Sequence, residues 1–262
     1  MTEDQIAVQL YTLREQTATD MPGTLQRLAE IGYRAVEFAG YGNATPKEIR
    51  RVLDKYAMRA ASAHVGVPQW EQIDDVLATL QTLGCAYAVV PSLPKEQRTS
   101  LAQVKALCEQ FNHWSERCRD RGIRFAYHNH AFEFDALEDS TIWETLLGST
   151  DPTLVGIELD VYWAQYAGQA PVELIGRLAG RLPLLHVKDM ANTPERADVP
   201  AGSGVLDWNA ILSAAARAGT EWYIVEQDHP RSAFEDVEAS LRFLQGQAHG
   251  PSIGTMPHSQ PL

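Results

Sequence analysis

The stretch Val155-Gly-Ile-Glu158-Leu-Asp160 changes from strand-forming apolar residues to carboxylates at the point where a β-strand should end. Three further stretches, at residues 124–130, 182–189 and 222–228, also run from apolar residues into His, Asp or Glu. All strands of a parallel barrel open their C-terminal ends on one face, and this face carries the active site. We therefore expect these polar side chains to converge at the mouth of a barrel.

Strand-like and helix-like segments alternate along the chain. The strand candidates are residues 6–12, 35–39, 60–65, 87–91, 125–130, 155–160, 184–188 and 223–226. Apolar residues at helical spacing predict helices at 21–31, 46–56, 70–83, 101–119, 142–147, 171–178, 208–218 and 234–244. This alternation predicts an α/β fold, a single-domain (β/α)8 TIM barrel over residues 1–249. Residues 250–262 carry Pro, Ser, Gly and Gln without periodicity and are predicted to be a disordered tail.

The positions of the glycines weigh against the alternative fold, a doubly wound open sheet. That fold normally has a glycine-rich loop after its first strand, and here the loop reads Thr12-Leu-Arg-Glu-Gln16. A second glycine-containing loop, Pro200-Ala-Gly-Ser-Gly204, either wraps a substrate or only turns the chain. Because no lysine or arginine accompanies these glycines, phosphate binding there is a weak hypothesis.

Composition and charge limit the classes of partner. The chain has 34 acidic and 22 basic residues and a formal charge of -12, which repels nucleic acid and anionic lipid. We therefore expect neither a nucleic-acid partner nor a membrane partner. The N-terminus shows no export signal, and no apolar run reaches the length of a membrane span. Cys85, Cys108 and Cys118 form no CxxC pair and are predicted to be reduced, buried thiols of a cytoplasmic protein.

The imidazoles and carboxylates at the predicted strand ends suit a divalent metal ion. Asp160, His186 and Glu226 end the sixth, seventh and eighth strands, where an unpaired buried carboxylate would be costly and a metal ion would remove that cost. On the fifth strand His128 and His130 point the same way, so that either is a ligand and the other a proton carrier. The alternative is a helix-capping aspartate and core histidines without a metal.

Further side chains at the same mouth are predicted to contact substrate. His64 ends the third strand, and Glu158 points the same way as Asp160, one layer deeper in the barrel. Tyr11 and Trp163 are aromatic residues near strand ends, where a ring suits the apolar face of a sugar or cyclitol. The alternatives are a histidine that anchors a loop and ordinary barrel packing.

These segments resemble the xylose isomerase-like TIM-barrel superfamily, in the branch described as sugar phosphate isomerases/epimerases. The resemblance runs from residues 8–14 to residues 225–228. Its most specific motifs are Tyr127-His-Asn-His130 with Phe132-Glu-Phe134, then Asp160-Val-Tyr-Trp163, then His186-Val-Lys-Asp189. Each motif is weak alone, but their order and spacing together make the resemblance strong.

The resemblance implies a set of metal ligands: a Glu on strand five, an Asp on six, a His on seven and a Glu on eight. Asp160, His186 and Glu226 match this set, whereas His128 stands in the place of the strand-five Glu. The predicted ligands are therefore His128, Asp160, His186 and Glu226. The expected ion is Mn²⁺, with Mg²⁺, Co²⁺ and Zn²⁺ as alternatives.

The resemblance also implies a reaction, an isomerisation or epimerisation of a keto-sugar or keto-glycoside through an enediolate. His130 or Glu226 would be the base, and Lys188 or His64 the acid. The alternative is a dehydratase or lyase that acts on an inosose-type cyclic keto-polyol or a 3-keto-glycoside. Trp163 stands where keto-sugar epimerases of the superfamily have His, and His130 stands where its inosose and dehydroshikimate dehydratases have one.

Two other classes of protein are weighed against this carbohydrate enzyme. An apurinic-site endonuclease of the same superfamily would need a basic groove, which the charge of -12 opposes. A non-catalytic sugar-binding barrel is the second alternative. The expected partner is a small carbohydrate substrate, and pairing of two copies through the outer helices is left open.

Overall fold

Eight short runs rich in valine, alanine and aromatic residues form a closed parallel barrel in the computed structural model, which describes residues 1–248. Neighbouring strands pair in chain order, and the first pairs with the last to close the barrel. The strands are β1 (Ile6–Gln9), β2 (Ala35–Phe38), β3 (Arg59–His64), β4 (Tyr87–Val90), β5 (Arg124–His128), β6 (Val155–Asp160), β7 (Leu184–Val187) and β8 (Trp222–Val225). The predicted (β/α)8 barrel is confirmed, and the alternative of a doubly wound sheet is wrong.

Helices connect the strands around the outside of the barrel. Within residues 1–248 they are α1 (Arg14–Ile31), α2 (Pro46–Lys55), α3 (Ile73–Leu83), α4 (Leu101–Arg119), α5 (Ile142–Ser149), α6 (Val161–Tyr166), α7 (Pro171–Arg177), α8 (Trp208–Ala218) and α9 (Ala233–Ala248). Local hydrogen bonds and backbone conformation determine where these helices begin and end. The Thr45 hydroxyl accepts a hydrogen bond from the backbone N–H of Glu48 before α2, and Gly84 ends α3 in the left-handed conformation.

Seven of the eight strands end earlier than their sequence patterns predict, β1 by three residues, β5 by two and the others by one. β1 stops at Gln9 because the Gln9 side chain accepts a hydrogen bond from the backbone N–H of Tyr11 and starts a 3-10 turn. β5 stops at His128 because the Asn129 side chain takes over the pairing: its Oδ1 accepts from the Asp160 backbone N–H at 3.0 Å. His130 consequently lies in the loop after β5. β8 stops at Val225, so that Glu226 is the first residue beyond the strand.

Two helical segments were not predicted. α1 begins at Arg14, seven residues before the predicted start, and is kinked at Asp20. The sequence pattern starts only at residue 21 because Pro22 is typical of a first helical turn. α6 follows β6 directly, and Asp160 Oδ1 accepts the backbone N–H of Trp163 at 3.0 Å as its cap.

The register of the strands places the polar residues of the mouth side by side. His128 on β5 is level with Glu158 on β6, and Asp160 is level with His186 on β7. Cys85, Cys108 and Cys118 are buried and free, as predicted. No helix within residues 1–248 is long and apolar enough to cross a membrane. The predicted tail, residues 250–262, lies outside the described residues.

Candidate metal centre and active site

The imidazole of His186 lies between two pairs of carboxylates. Its Nε2 is 2.8 Å from Glu37 Oε2 and 3.1 Å from Glu158 Oε2. Its Nδ1 is 3.0 Å from Glu226 Oε2 and 3.9 Å from Asp160 Oδ2. All five side chains are buried, in a layer formed by the ends of β2, β6, β7 and β8. Both nitrogens of one imidazole therefore face potential metal ligands.

Two overlapping groups of side chains could hold a metal ion, and both contain His128 and His186. The deep set, nearer the barrel interior, is His64, His128, Glu158 and His186. The shallow set, which consists of the four predicted ligands, is His128, Asp160, His186 and Glu226. In each set one potential ligand atom per residue lies within 4.8 Å of the others. The structure thus brings the predicted ligands together, and their role as ligands stays a prediction.

Glu37 is a residue of this site that sequence analysis missed. It is fully buried, and its Oε2 accepts a hydrogen bond from Gln9 Nε2 at 2.7 Å. The same oxygen is 3.4 Å from His64 Nε2. The available signal was a carboxylate inside the apolar strand Ala35–Phe38. It escaped notice because no further acidic or imidazole residue ends that strand.

The donor atoms of this layer fit a divalent cation. Glu37 Oε1 and Glu158 Oε1 are buried without a hydrogen-bond partner among the described residues. Buried carboxylate oxygens without partners are costly, and coordination to a cation removes that cost. Imidazole nitrogen and carboxylate oxygen are the ligands that Zn²⁺, Mn²⁺ and related ions take in proteins.

Burial and mutual electrostatics shift the pKa values of the groups in this layer. Burial and the neighbouring Glu158 raise the pKa of Glu37 above its usual value. Burial has the same tendency at Glu158, but His186 and His64 outweigh it and hold the pKa of Glu158 well below its usual range. Burial, together with the nearby His186, lowers the pKa of His128 well below that of a free imidazole. Burial acts to lower the pKa values of His64 and His186 as well, but the neighbouring carboxylates raise them above that of a free imidazole, so these two side chains would release protons when a metal ion binds.

Lys188 neutralises the carboxylates of the shallow set. Its Nζ lies 2.7 Å from Glu226 Oε2, 2.9 Å from Asp228 Oδ2 and 3.2 Å from Asp160 Oδ2. Burial acts to lower the pKa of Lys188, but Asp160 and Glu226 raise it well above its usual value. Burial also raises the pKa of Asp160 to about 6, although Lys188 acts against it. Lys188 is fully buried, so it acts on the mouth through these carboxylates.

His130 stands at the mouth on a loop that Glu133 holds in place. Glu133 Oε2 accepts the backbone N–H of His130 at 2.8 Å, and Glu133 Oε1 accepts the Tyr127 hydroxyl at 2.7 Å. The His130 ring is 5.6 Å from the Trp163 ring between centroids. Burial and the charge of Lys188 lower the pKa of His130 to about 4. Its imidazole is therefore neutral near pH 7.

A pocket of about 600 Å³ opens above this layer. Its lining includes the predicted site residues Tyr11, His64, His128, His130, Trp163 and Glu226. Four other predicted site residues do not line it: Asp160 and His186 are fully buried, Glu158 lies beneath the floor, and Lys188 lies behind Glu226 and Asp228. Direct contact of Glu158 or Lys188 with a substrate stays a prediction. Among the described residues that line the pocket there is no lysine and no arginine.

The glycine-containing loop at residues 200–204 turns the chain around a buried carboxylate. Asp189 accepts the backbone N–H groups of Gly202, Gly204 and Leu206 and the indole N–H of Trp208, at 2.7–3.1 Å. A Cβ on Gly204 would lie 2.2 Å from the carbonyl oxygen of Met190, so only glycine fits. No residue of this loop is among those that line the pocket. Of the two alternatives for the loop, the structure favours the turn.

Comparison with known proteins agrees with this architecture. A family model described as xylose isomerase-like TIM barrel matches residues 25–247. An inosose dehydratase of Geobacillus kaustophilus is 29% identical over 189 residues, which are 63% of this chain. The chain spans 61% of that relative's length and 54% of the length of an inosose dehydratase of Bacillus anthracis.

Other relatives align over more of their length. An inosose dehydratase of Clostridium beijerinckii is 25% identical over 259 residues, with 83% of this chain and 85% of the relative covered. A crystal structure of a sugar phosphate isomerase/epimerase from Parabacteroides distasonis superimposes with a TM-score of 0.80 and 28% identity. That match covers 95% of this chain and 96% of the other. These similar proteins thus carry two kinds of name, inosose dehydratase and sugar phosphate isomerase/epimerase.

Proposed function

The chain belongs to the xylose isomerase-like TIM-barrel family, and we propose that it dehydrates an uncharged cyclic keto-polyol by removing a proton beside the carbonyl group. The observation that carries the proposal is the layer of imidazoles and carboxylates at the floor of a pocket without basic residues. Proton removal next to a carbonyl needs an electrophile for the oxygen and a base for the carbon. The floor and walls of this pocket offer both kinds of group.

The floor would supply the electrophile. A divalent ion held by His128, His186 and the neighbouring carboxylates would polarise the substrate carbonyl and make the adjacent C–H more acidic. His64 and His128 line the pocket, so the layer is directly accessible to a bound polyol. The unpartnered carboxylate oxygens Glu37 Oε1 and Glu158 Oε1 support the presence of a cation.

The walls would supply the proton transfers. His130 is neutral near pH 7 and lines the pocket, so it is our candidate for the base, with Glu226 as the alternative. Asp228 is our candidate for the acid that protonates the departing hydroxyl. Burial raises the pKa of Asp228, although the hydrogen bond that Lys188 Nζ donates to its Oδ2 at 2.9 Å acts against the rise.

The charge of the pocket supports a substrate without phosphate. Glu226, Asp228 and four imidazoles lie among the lining residues, and no lysine or arginine accompanies them within residues 1–248. Phosphate sites depend on Arg, Lys or clustered backbone N–H groups, whereas acidic walls repel a phosphate. The aromatic faces of Tyr11 and Trp163 suit the C–H face of a ring.

A second candidate function is isomerisation or epimerisation of a keto-sugar or keto-glycoside, as the sequence predicts. The similarity to the Parabacteroides distasonis isomerase/epimerase favours it. Both candidate reactions begin with removal of the α-proton, and they differ in whether a hydroxyl group then leaves or a proton returns. The relatives from Geobacillus kaustophilus and Clostridium beijerinckii, both named inosose dehydratases, are our reason for placing dehydration first.

The test is an incubation of metal-loaded protein in D₂O with inosose, several keto-glycosides and phosphorylated ketoses, followed by NMR. Loss of water from inosose would support the dehydratase. Deuterium at the α-carbon with all oxygens retained would favour the isomerase or epimerase instead. Turnover of phosphorylated ketoses alone would contradict the uncharged substrate, and no reaction on any compound would contradict the proposal.

A further inference from the structure

The imidazole ring of His130 is not oriented by a hydrogen bond. Within residues 1–248, the hydrogen bonds of His130 involve only its backbone, whose N–H donates to Glu133 Oε2 at 2.8 Å and whose carbonyl accepts from Asn129 Nδ2 at 3.2 Å. Its ring atom Nδ1 is buried without a partner. A catalytic base is usually oriented by a hydrogen bond from a third group. The ring of His130 must therefore be held by packing.

Neighbouring rings supply this packing. The Phe132 ring lies 6.0 Å from the His130 ring between centroids, and the two planes differ by 19°. The Trp163 ring lies 5.6 Å away at 39°, and the His128 ring lies 5.0 Å away, edge to face. All three distances are within the ~4.5–7 Å over which aromatic rings attract each other.

Phe132 is the one of these three rings that needs support from outside. His128 is part of β5, and Trp163 is part of α6, which begins at the cap of Asp160. Phe132 instead belongs to the same loop as His130 and is only half-buried. Its position therefore depends on the side chain that packs against it from the neighbouring loop.

Arg98, in the loop between β4 and α4, is that side chain. Its Cζ atom lies 3.2 Å from the centre of the Phe132 ring. Its Nη1 atom is buried and forms no hydrogen bond within residues 1–248, so the ring is the group that this part of the guanidinium faces. A cation over an aromatic face contributes about 0.5–2 kcal/mol, the larger value when the pair is desolvated.

We propose that Arg98 is a positioning residue for His130, which acts by fixing Phe132. The guanidinium holds the Phe132 ring, and the Phe132 and Trp163 rings hold the imidazole in the orientation that faces the pocket. Arg98 does not line the pocket, so its effect must pass through Phe132. The inference rests on the proposed function in taking His130 as the base.

The first test is the rate of α-proton exchange into the active keto-polyol. Arg98→Met removes the guanidinium, and we expect kcat for exchange to fall about tenfold with KM and metal content unchanged, because a misplaced base slows the chemical step. Arg98→Lys keeps a cation for the ring and should recover part of the rate. An unchanged kcat in Arg98→Met, or no recovery in Arg98→Lys, would overturn the inference.

Lys95→Met is the matched control. Lys95 lines the same surface cleft of about 240 Å³ as Arg98 and Phe132, but none of the cation–ring contacts within residues 1–248 involves it. Its loss should leave kcat at the wild-type value. Equal losses in Lys95→Met and Arg98→Met would reduce the effect to the general charge of the cleft and overturn the inference.

A double-mutant cycle tests the route through Phe132. Phe132→Leu should slow exchange about as much as Arg98→Met, and the double variant should be no slower than Phe132→Leu alone, since both changes break the same contact. Circular dichroism of all three variants controls for folding. Losses that multiply in the double variant would show that Arg98 acts by another route and would overturn the inference.

A measurement without substrate separates this inference from the proposed function. In NMR spectra of protein with isotopically labelled histidine, His130→Asn identifies the ring signals of His130. These signals should shift in Arg98→Met and not in Lys95→Met, because a stacked ring changes the shielding of its neighbour. Unshifted signals in Arg98→Met would overturn the inference in an active protein. Shifted signals in a protein that is inactive on every keto-polyol would reject the function and leave Arg98 as the residue that orients His130.

Discussion

The ammonium group of Lys188 lies 2.7 Å from Glu226 Oε2 with no exposure to solvent. Asp160 and Asp228 complete its surroundings, so one positive charge is shared by three carboxylates. Buried charges of this kind are tolerated only when they are paired. Lys188 therefore compensates part of the negative charge of the acidic wall without itself lining the pocket.

Lys188→Met should destabilise the metal-free protein by about 3–5 kcal/mol, because it leaves three carboxylates buried without their cation. Urea unfolding followed by tryptophan fluorescence would measure the loss. Asp228→Asn is the matched control. It leaves Lys188 with Asp160 and Glu226, so its loss should be smaller. A Lys188→Met variant that loses less than about 1 kcal/mol would contradict the charge balance that we describe.

His130→Asn should slow proton removal about a hundredfold or more, the usual scale for the loss of a general base. The measurement is deuterium incorporation at the α-carbon of the active keto-polyol. Metal content should remain that of the wild type, since His130 belongs to neither candidate set of ligands. Unchanged exchange would move the role of base to Glu226, and a loss of metal would show that His130 is a ligand.

Sequence patterns predicted which strands carry the polar residues but not which of those residues meet. Alternation along a strand places Glu158 and Asp160 on the same side. Only the fold shows that His64, 94 positions away along the chain, reaches Glu158, while Lys188 reaches Asp160. The choice between the two candidate ligand sets depends on these contacts across the barrel.

Some residues of the site were missed for the same reason. Glu37 contacts His186, which lies 149 positions away in the sequence, and the residues next to Glu37 in the chain do not predict that contact. His130 was expected on a strand, but the side chain of Asn129 ends β5 by pairing with the backbone of Asp160. Local patterns identify strands and helices, whereas these outcomes depend on partners that only the closed barrel supplies.

Asp189→Ala should destabilise the protein by about 3–5 kcal/mol, because several buried N–H groups would lose their shared acceptor. The donors include the backbone N–H groups of Gly202, Gly204 and Leu206. Trp208→Phe is the matched control, since it removes only the indole donor, and it should cost about 1 kcal/mol. Thermal unfolding of both variants would measure the two effects. Equal losses would contradict the role of Asp189 as the common anchor of the loop.

Glu133 should make the stability of the protein fall as the pH rises. Burial raises its pKa to about 7, although hydrogen bonds from Tyr127 and His130 act against the rise. In the unfolded chain the carboxyl group titrates near its ordinary value of 4.5. The folded state therefore binds the proton more tightly, and the stability due to this group is complete below about pH 4.5 and lost as the pH passes through about 7.

Glu133→Gln removes this titration and keeps the shape of the neutral carboxyl group. The unfolding free energy of the wild type minus that of the variant should fall by about 3 kcal/mol between pH 4.5 and pH 8, the equivalent of a shift from 4.5 to about 7. Urea unfolding of the two metal-free proteins at several pH values would measure the difference. Other groups at the mouth titrate in the same range, but they are common to both proteins and cancel. If the difference in unfolding free energy between the two proteins is constant or rises with pH, Glu133 is ionised throughout this range. Its carboxylate would then be stabilised by the hydrogen bonds from the Tyr127 hydroxyl and the His130 backbone N–H.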